Sequence, residues 1–329
     1  MIKITCNRAP NYSSILYGSI SSAIDSASTI EGTLERDVPG AGKLCTTWYK
    51  VYGDLKSGVT PLVALHGGPG IPHDYLISLA DLTALYAIPL VLYDQLGCGN
   101  STHLPEKSGD GAFWTEDLFL AELDALLKHL EIQDHYDLLG HSWGGMFGAR
   151  HAVRQPKGLR RLIISDTPAA AKLWVESVSV LLKTLPKETQ ETLLKHEAAG
   201  TYDAPEYKEA VFAFYKKYMC RLETWPEALT AAFGLMEEDP TVYMTMWGSS
   251  EFHVKGTLKG WSILDELHKI SVQTLLLNAR YDEAQDVCVQ PFFKGISKVK
   301  WYTFAESGHM PHWDEREHYV EVVAEFLKQ

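Results

Sequence analysis

The segment Tyr136-Asp-Leu-Leu-Gly140-His141-Ser142-Trp143-Gly144-Gly145-Met146 constrains the architecture of this chain more than any other. An apolar, strand-like run leads into a serine walled by glycines, and a helix-compatible stretch from Met146 to Val153 follows. A serine on a sharp strand-to-helix turn takes a strained backbone conformation. Side chains two residues away on either side would collide with the strand and helix packed there. Gly140 and Gly144 remove those collisions. A bare G-x-S-x-G pattern is common, so its weight rests on the flanking context; the competing reading is a glycine-rich turn with a bystander serine.

The surrounding sequence supplies that context. Two strand-like stretches, Thr33 to Arg36 and Leu44 to Tyr52, flank a Pro-Gly-Ala-Gly turn and predict an antiparallel entry hairpin. Pro61 to Leu65 and Ile88 to Tyr93 are continuous apolar runs, as strands buried on both faces should be, and Asp117 to Leu130 has helical periodicity. Alternation continues through Leu159 to Ser165 and resumes with Val272 to Leu277, a helical stretch near 284–294, Val299 to Phe304 and a final helix from about Asp314. This pattern predicts an α/β chain with a doubly wound, mostly parallel sheet. Between Thr167 and Trp261 only amphipathic helical segments occur, so residues 167–261 are expected to form an all-helical cap inserted into a core of residues 31–166 and 262–329.

Composition excludes several classes. The 30 basic and 42 acidic residues give a formal charge of −12, which disfavours nucleic acid and anionic lipid as partners. No uninterrupted apolar run reaches the roughly 18 residues that a membrane span requires. The five cysteines are scattered and odd in number, which points to a reducing, cytoplasmic setting. Residues 1–30 are Ser-rich with no acid before Asp25, a weak likeness to a mitochondrial transit peptide. They are read as an N-terminal extension. Oligomeric state is not legible.

A serine hydroxyl needs a base, and the base needs an acid to orient it. In a sheet of this order both should lie on loops after later strands, in chain order serine, acid, histidine. After strand 272–277 come Asp282 and Glu283, and after strand 299–304 come Gly308-His309-Met-Pro-His312. Asp282 is the expected acid, with Glu283 and Asp286 as substitutes; His309 is the expected base, with His312 as competitor. An acyl-transfer serine also needs backbone donors for the developing negative charge. The loop His66-Gly67-Gly68-Pro69-Gly70 and the start of the helix after Ser142 supply them, with the amides of Gly68 and Trp143 as the assigned oxyanion donors. His66 is expected to brace this loop, and Cys98 to be a buried structural thiol. No cluster has convincing metal spacing, so neither metal nor cofactor is expected.

Taken together, His66-Gly-Gly-Pro-Gly70 with His73-Asp-Tyr75, Tyr93-Asp-Gln-Leu-Gly-Cys-Gly-Asn-Ser101, Gly140-His-Ser-Trp-Gly-Gly145, Glu251 to Trp261 and Tyr281-Asp-Glu283 resemble one family. It is the prolyl iminopeptidase group of α/β-hydrolases, and within it most closely the tricorn-interacting aminopeptidase and L-amino-acid amidase branch. The likeness runs from about Leu44 to the C-terminus. It implies an α/β-hydrolase fold and a serine peptidase that releases an N-terminal residue from short peptides or amino-acid amides. It further implies that Glu251 and Glu283 capture the substrate's free ammonium group, and charge-assisted hydrogen bonds from a carboxylate pair suit that task. The chain departs from the usual pattern at Leu96 and Asn100, where the family often carries arginines, and at His141, often a glycine. The implied N-terminal residue is therefore proline or another small or hydrophobic one. Rival readings are an esterase, lactonase or other small-molecule acyl hydrolase of a biosynthetic pathway and, from another class, a hydrolase-like ligand receptor. Trp174, Trp225, Trp247 and Trp261 are candidate pocket walls.

Overall fold

The computed structural model describes residues 29–329. The expected extension over residues 1–30 lies outside the described residues, apart from Thr29 and Ile30, which open the first strand. Eight strands form one sheet in the order β1-β2-β4-β3-β5-β6-β7-β8. They are β1 (Thr29–Asp37), β2 (Leu44–Tyr52), β3 (Leu62–Leu65), β4 (Leu90–Tyr93), β5 (Tyr136–His141), β6 (Leu159–Ser165), β7 (Gln273–Ala279) and β8 (Val299–Phe304). The entry hairpin is antiparallel, with Thr29 opposite Tyr52 and Asp37 opposite Leu44, and β2 joins β4 antiparallel. Every pairing from β4 onward across β3, β5, β6, β7 and β8 is parallel.

The continuous apolar runs are strands covered on both faces. In β5, Leu138 belongs to one core with Val63, Leu65, Leu162 and Leu276, while its neighbour Leu139 belongs to another with Leu62, Ala64, Leu92, Ile163 and Leu275. Each buried Val, Leu or Ile side chain there contributes about 1.5–3 kcal/mol relative to leaving it exposed.

Eleven α-helices are described. They are α1 (Asp81–Tyr86), α2 (Glu116–His129), α3 (Trp143–Val153), α4 (Ala171–Leu182), α5 (Lys187–Ala199), α6 (Pro205–Tyr218), α7 (Glu227–Glu238), α8 (Thr241–Met246), α9 (Asp286–Gly295), α10 (Pro311–Asp314) and α11 (Arg316–Leu327). Helix α2 starts on a Thr115 side-chain cap that accepts from the Leu118 amide, has Glu116 and Asp117 in its first turn and ends on Lys128 and His129, all of which favour the helix dipole. Helices α4 to α8 are consecutive between β6 and β7, in the stretch where the sequence has helical periodicity alone. The final helix of the sequence reading is divided: α10 ends at Asp314 and α11 begins at Arg316. No helix among the described residues is long and apolar enough to cross a membrane.

Candidate active site

The turn after β5 has the strain that its glycines imply. Ser142 sits at φ 56°, ψ −122°, a left-handed region that L-residues rarely occupy. A Cβ at Gly140 would lie 2.1 Å from the carbonyl oxygen of Gly144, and one at Gly144 would lie 2.1 Å from that of Leu65. Both positions are sterically closed to any side chain. Ser142 is held between strand and helix at the floor of a cavity of about 670 Å³, whose wall also includes Gly67, Gly68, His309 and Glu251.

The residues expected as acid and base lie on the loops after β7 and β8. His309 Nδ1 lies 2.6 Å from Asp282 Oδ1, which also accepts the Ala284 amide at 2.8 Å, and both residues are buried. The competitors are placed elsewhere. Asp286 accepts from Asn278 Nδ2 at 3.0 Å, and His312 packs its ring against Tyr75, His141 and Tyr319. Neither Ser142 Oγ nor His309 Nε2 has a hydrogen-bond partner among the described residues. Contacts of this kind commonly tighten only when substrate is bound.

His309 is also fixed through its backbone. Its amide donates to the carbonyl of Tyr218, the last residue of α6, at 2.7 Å, and the Met310 amide donates to the Met219 carbonyl at 3.0 Å. The preceding Gly308 leaves no space for more: a Cβ there would meet the Tyr218 carbonyl oxygen at 2.6 Å.

A relay of hydrogen bonds joins the three loops of the site. The Gly67 amide donates to the Tyr75 hydroxyl at 2.7 Å, that hydroxyl lies 3.0 Å from His141 Nδ1, and His141 Nε2 lies 2.7 Å from the His309 carbonyl oxygen. The partners assign a neutral His141 that accepts at Nδ1 and donates at Nε2. Burial, with the neighbouring His309 and His312, pushes its pKa well below the ordinary histidine value. His141 thus braces the nucleophile turn against the base loop, a role that its departure from the more usual glycine did not reveal.

The loop carrying the assigned oxyanion donors is pinned from beneath. His66 Nε2 accepts the Gln95 amide at 2.9 Å, and its Nδ1 lies 3.1 Å from the Gly67 carbonyl oxygen; burial lowers its pKa to about 4. The indole of Trp143 donates to Gln95 Oε1 at 3.0 Å. The backbone amides of Gly68 and Trp143 have no hydrogen-bond partner among the described residues. Gly68 lines the cavity beside Ser142, and Trp143 is the first residue of α3, where amides are unpaired by the helix itself.

Among the described residues, His66, Asp94 and Cys98 are the one group placed closely enough to suggest metal ligation. Their atoms are already engaged: Asp94 accepts from His73 and from Asn100, and the Cys98 thiol donates to the Gln95 carbonyl at 3.2 Å. Burial raises the Cys98 pKa well above its ordinary value, so this is a packed thiol rather than a thiolate ligand.

Glu251 projects into the cavity from the segment after α8, and its Oε2 accepts the hydroxyls of Tyr215 at 3.0 Å and Tyr243 at 2.8 Å. Glu283 is fully buried, and neither of its carboxylate oxygens has a partner. Burial first, then the charges of Glu251 and Asp282, push its pKa well above the ordinary glutamate value. Glu283 is not itself part of the cavity wall, whereas Trp174, Trp225 and Trp247 are. Trp261 is a correction: its indole donates to Glu116 at 2.7 Å and packs in the core instead.

Residues 60–316 match the family model described as alpha/beta hydrolase fold. Proline iminopeptidase from Saccharolobus solfataricus is 37% identical over 282 residues, which is 86% of this chain and 89% of that protein. Its counterpart from Heyndrickxia coagulans is 37% identical over 83% of this chain and 92% of its own length. Among solved structures, VinJ superposes with a TM-score of 0.86 at 47% identity, covering 91% of this chain and 98% of that one. Proline iminopeptidase of Mycobacterium smegmatis superposes with a TM-score of 0.83 at 40% identity, with the same coverage.

Proposed function

Because the chain belongs to the alpha/beta hydrolase fold family and, within it, to the proline iminopeptidases, we propose that it is a serine aminopeptidase. It releases N-terminal proline, or another small or hydrophobic residue, from short peptides or amino-acid amides. In this reading residues 167–261 form a cap over a core of residues 31–166 and 262–329. The observation that carries the reading is the carboxylate of Glu251 in the same cavity wall as Ser142 and His309, with the unpartnered Glu283 within electrostatic reach of it.

The mechanism follows from what each group can do. Glu251 takes the cationic amine of the substrate at the cavity wall, with Glu283 buried behind it as the second acidic group, and so orients the first carbonyl over Ser142. His309 removes the Ser142 proton as the hydroxyl attacks. Asp282 holds Nδ1 and stabilises the imidazolium. The Gly68 and Trp143 amides receive the oxyanion, a contribution worth about 3–4 kcal/mol for one donor in comparable sites. His309 then protonates the leaving amine, and water, activated by the same imidazole, clears the acyl-enzyme.

A fluorogenic panel of aminoacyl amides with free and blocked N-termini tests this. Turnover should require the free amine and favour proline or small apolar residues. Equal turnover of blocked and free substrates, or turnover confined to simple esters and lactones, would replace the aminopeptidase by an acyl hydrolase that ignores the carboxylate pair.

A further inference from the structure

A second carboxylate that the mechanism does not use lies against the acid of the triad. Asp166 follows β6 directly, and its amide donates to the carbonyl of Leu277 in β7 at 2.8 Å. It therefore stands at the C-terminal end of the strand beside the one that leads to Asp282. Both side chains are fully buried, and they approach within hydrogen-bonding reach of each other.

Their four oxygens divide unequally. Asp282 Oδ1 takes His309 and the Ala284 amide, and Asp166 Oδ2 accepts the Ser165 hydroxyl at 2.6 Å. Asp282 Oδ2 and Asp166 Oδ1 have no partner. Two buried carboxylates this close do not both ionise, and each has one oxygen free to take part in a shared proton.

The groups facing Asp166 offer no other neutralisation. His141 Nε2 is 4.0 Å from Asp166 Oδ2, but it is committed to the His309 carbonyl. The Tyr319 hydroxyl of α11 donates to Ser165 Oγ at 3.0 Å. Asp314 of α10 adds a further negative charge, and no lysine or arginine among the described residues forms an ion pair with either aspartate. Burial, then the charge of Asp282, raises the Asp166 pKa well above the ordinary aspartate value.

Building on the triad assigned above, we propose that Asp166 is a positioning residue held as the neutral acid, donating its proton from Oδ1 to Oδ2 of Asp282. The pair then carries one negative charge in total. The shared proton fixes the rotation of the Asp282 carboxylate, so that Oδ1 stays aimed at His309 Nδ1. With that geometry held, the Nδ1 proton stays on the imidazole when His309 becomes cationic.

The test uses Asp166→Asn and Asp166→Ala in the full chain. Asparagine tolerates the residue's backbone, at φ 54°, and its amide can donate where the carboxylic acid does. Infrared difference spectra at neutral pH, wild type minus Asp166→Asn, should show the carbonyl stretch of a protonated carboxylic acid. That readout needs no activity, so it separates this proposal from a failure of the aminopeptidase reading. In kinetics, Asp166→Ala should lower kcat by about 10–100-fold at unchanged KM, with Asp166→Asn restoring most of the loss. The acid limb of the Asp166→Asn pH profile should stay at the wild-type position, because a neutral group replaces a neutral group. An absent infrared band, or an acid limb lowered by about one pH unit or more, shows an ionised Asp166 and overturns the proposal.

Discussion

Asp282 and Glu283 are neighbours in the chain and both are fully buried, yet Asp282 is bonded to His309 at 2.6 Å while neither carboxylate oxygen of Glu283 has a partner. Adjacent positions of one loop thus hold one carboxylate that is bonded to an imidazole and one whose oxygens have no partner.

Replacing Ser142 by alanine should reduce turnover of free-amine amides by roughly 10⁴-fold or more while leaving thermal unfolding close to wild type. Retained turnover would remove Ser142 from the reaction.

Glu251→Gln should raise KM for free-amine substrates by roughly 10–100-fold, the value of a hydrogen bond to a charged group, while activity on simple esters changes little. Equal losses on both substrate types would mean that Glu251 supports the site without reading the amine.

The same carboxylate predicts a pH effect. Burial raises the Glu251 pKa above its ordinary value, so protonation sets in at a higher pH than for an exposed glutamate. As pH falls through that raised value the negative charge is lost and ammonium capture weakens. KM for a prolyl arylamide should therefore climb on the acid side more steeply than KM for an ester without an amine; parallel profiles would contradict this.

Gly308→Ala should lower kcat by about 10–100-fold through displacement of His309, since the added Cβ meets the Tyr218 carbonyl at 2.6 Å. Overpacking should also cost about 1–3 kcal/mol, readable in urea unfolding. A variant with wild-type kcat would show that the loop yields without moving its histidine.

Away from the site, burial raises the Asp137 pKa from 3.8 to about 6 despite the Arg161 guanidinium at 2.9 Å. A folded-state value above the unfolded one means that the contribution is fully present below about pH 4 and lost as pH rises through 6. Between pH 4.5 and 7.5 the wild type should lose about 2 kcal/mol relative to Asp137→Asn. Urea midpoints of the two proteins at both pH values check the sign and size.

The strands and the strained turn at Ser142 were legible because they rest on local rules: apolar runs and glycines at sterically closed positions. Asp282 and His309 could be assigned because each follows a strand directly. Asp166 also follows a strand, but Ser165-Asp-Thr-Pro reads as a turn, and its approach to Asp282 depends on strands far apart in the chain pairing as Ser165 with Leu277 do. The brace at His141 was hidden for a related reason, since its partners Tyr75 and His309 lie 66 and 168 residues away. Trp261 misled because an aromatic side chain at a cavity wall and one in a core look alike in sequence.

The two backbone hydrogen bonds that tie Tyr218 and Met219 to His309 and Met310 restrict how a substrate reaches Ser142. Helices between β6 and β7 that swung away as one rigid body would break these bonds or pull His309 away from Asp282. Phe212, Lys216, Glu223 and Glu237, on α6, α7 and the turn between them, line the same cavity without carrying either of those bonds. A path to Ser142 that leaves those two hydrogen bonds intact also leaves His309 beside Asp282.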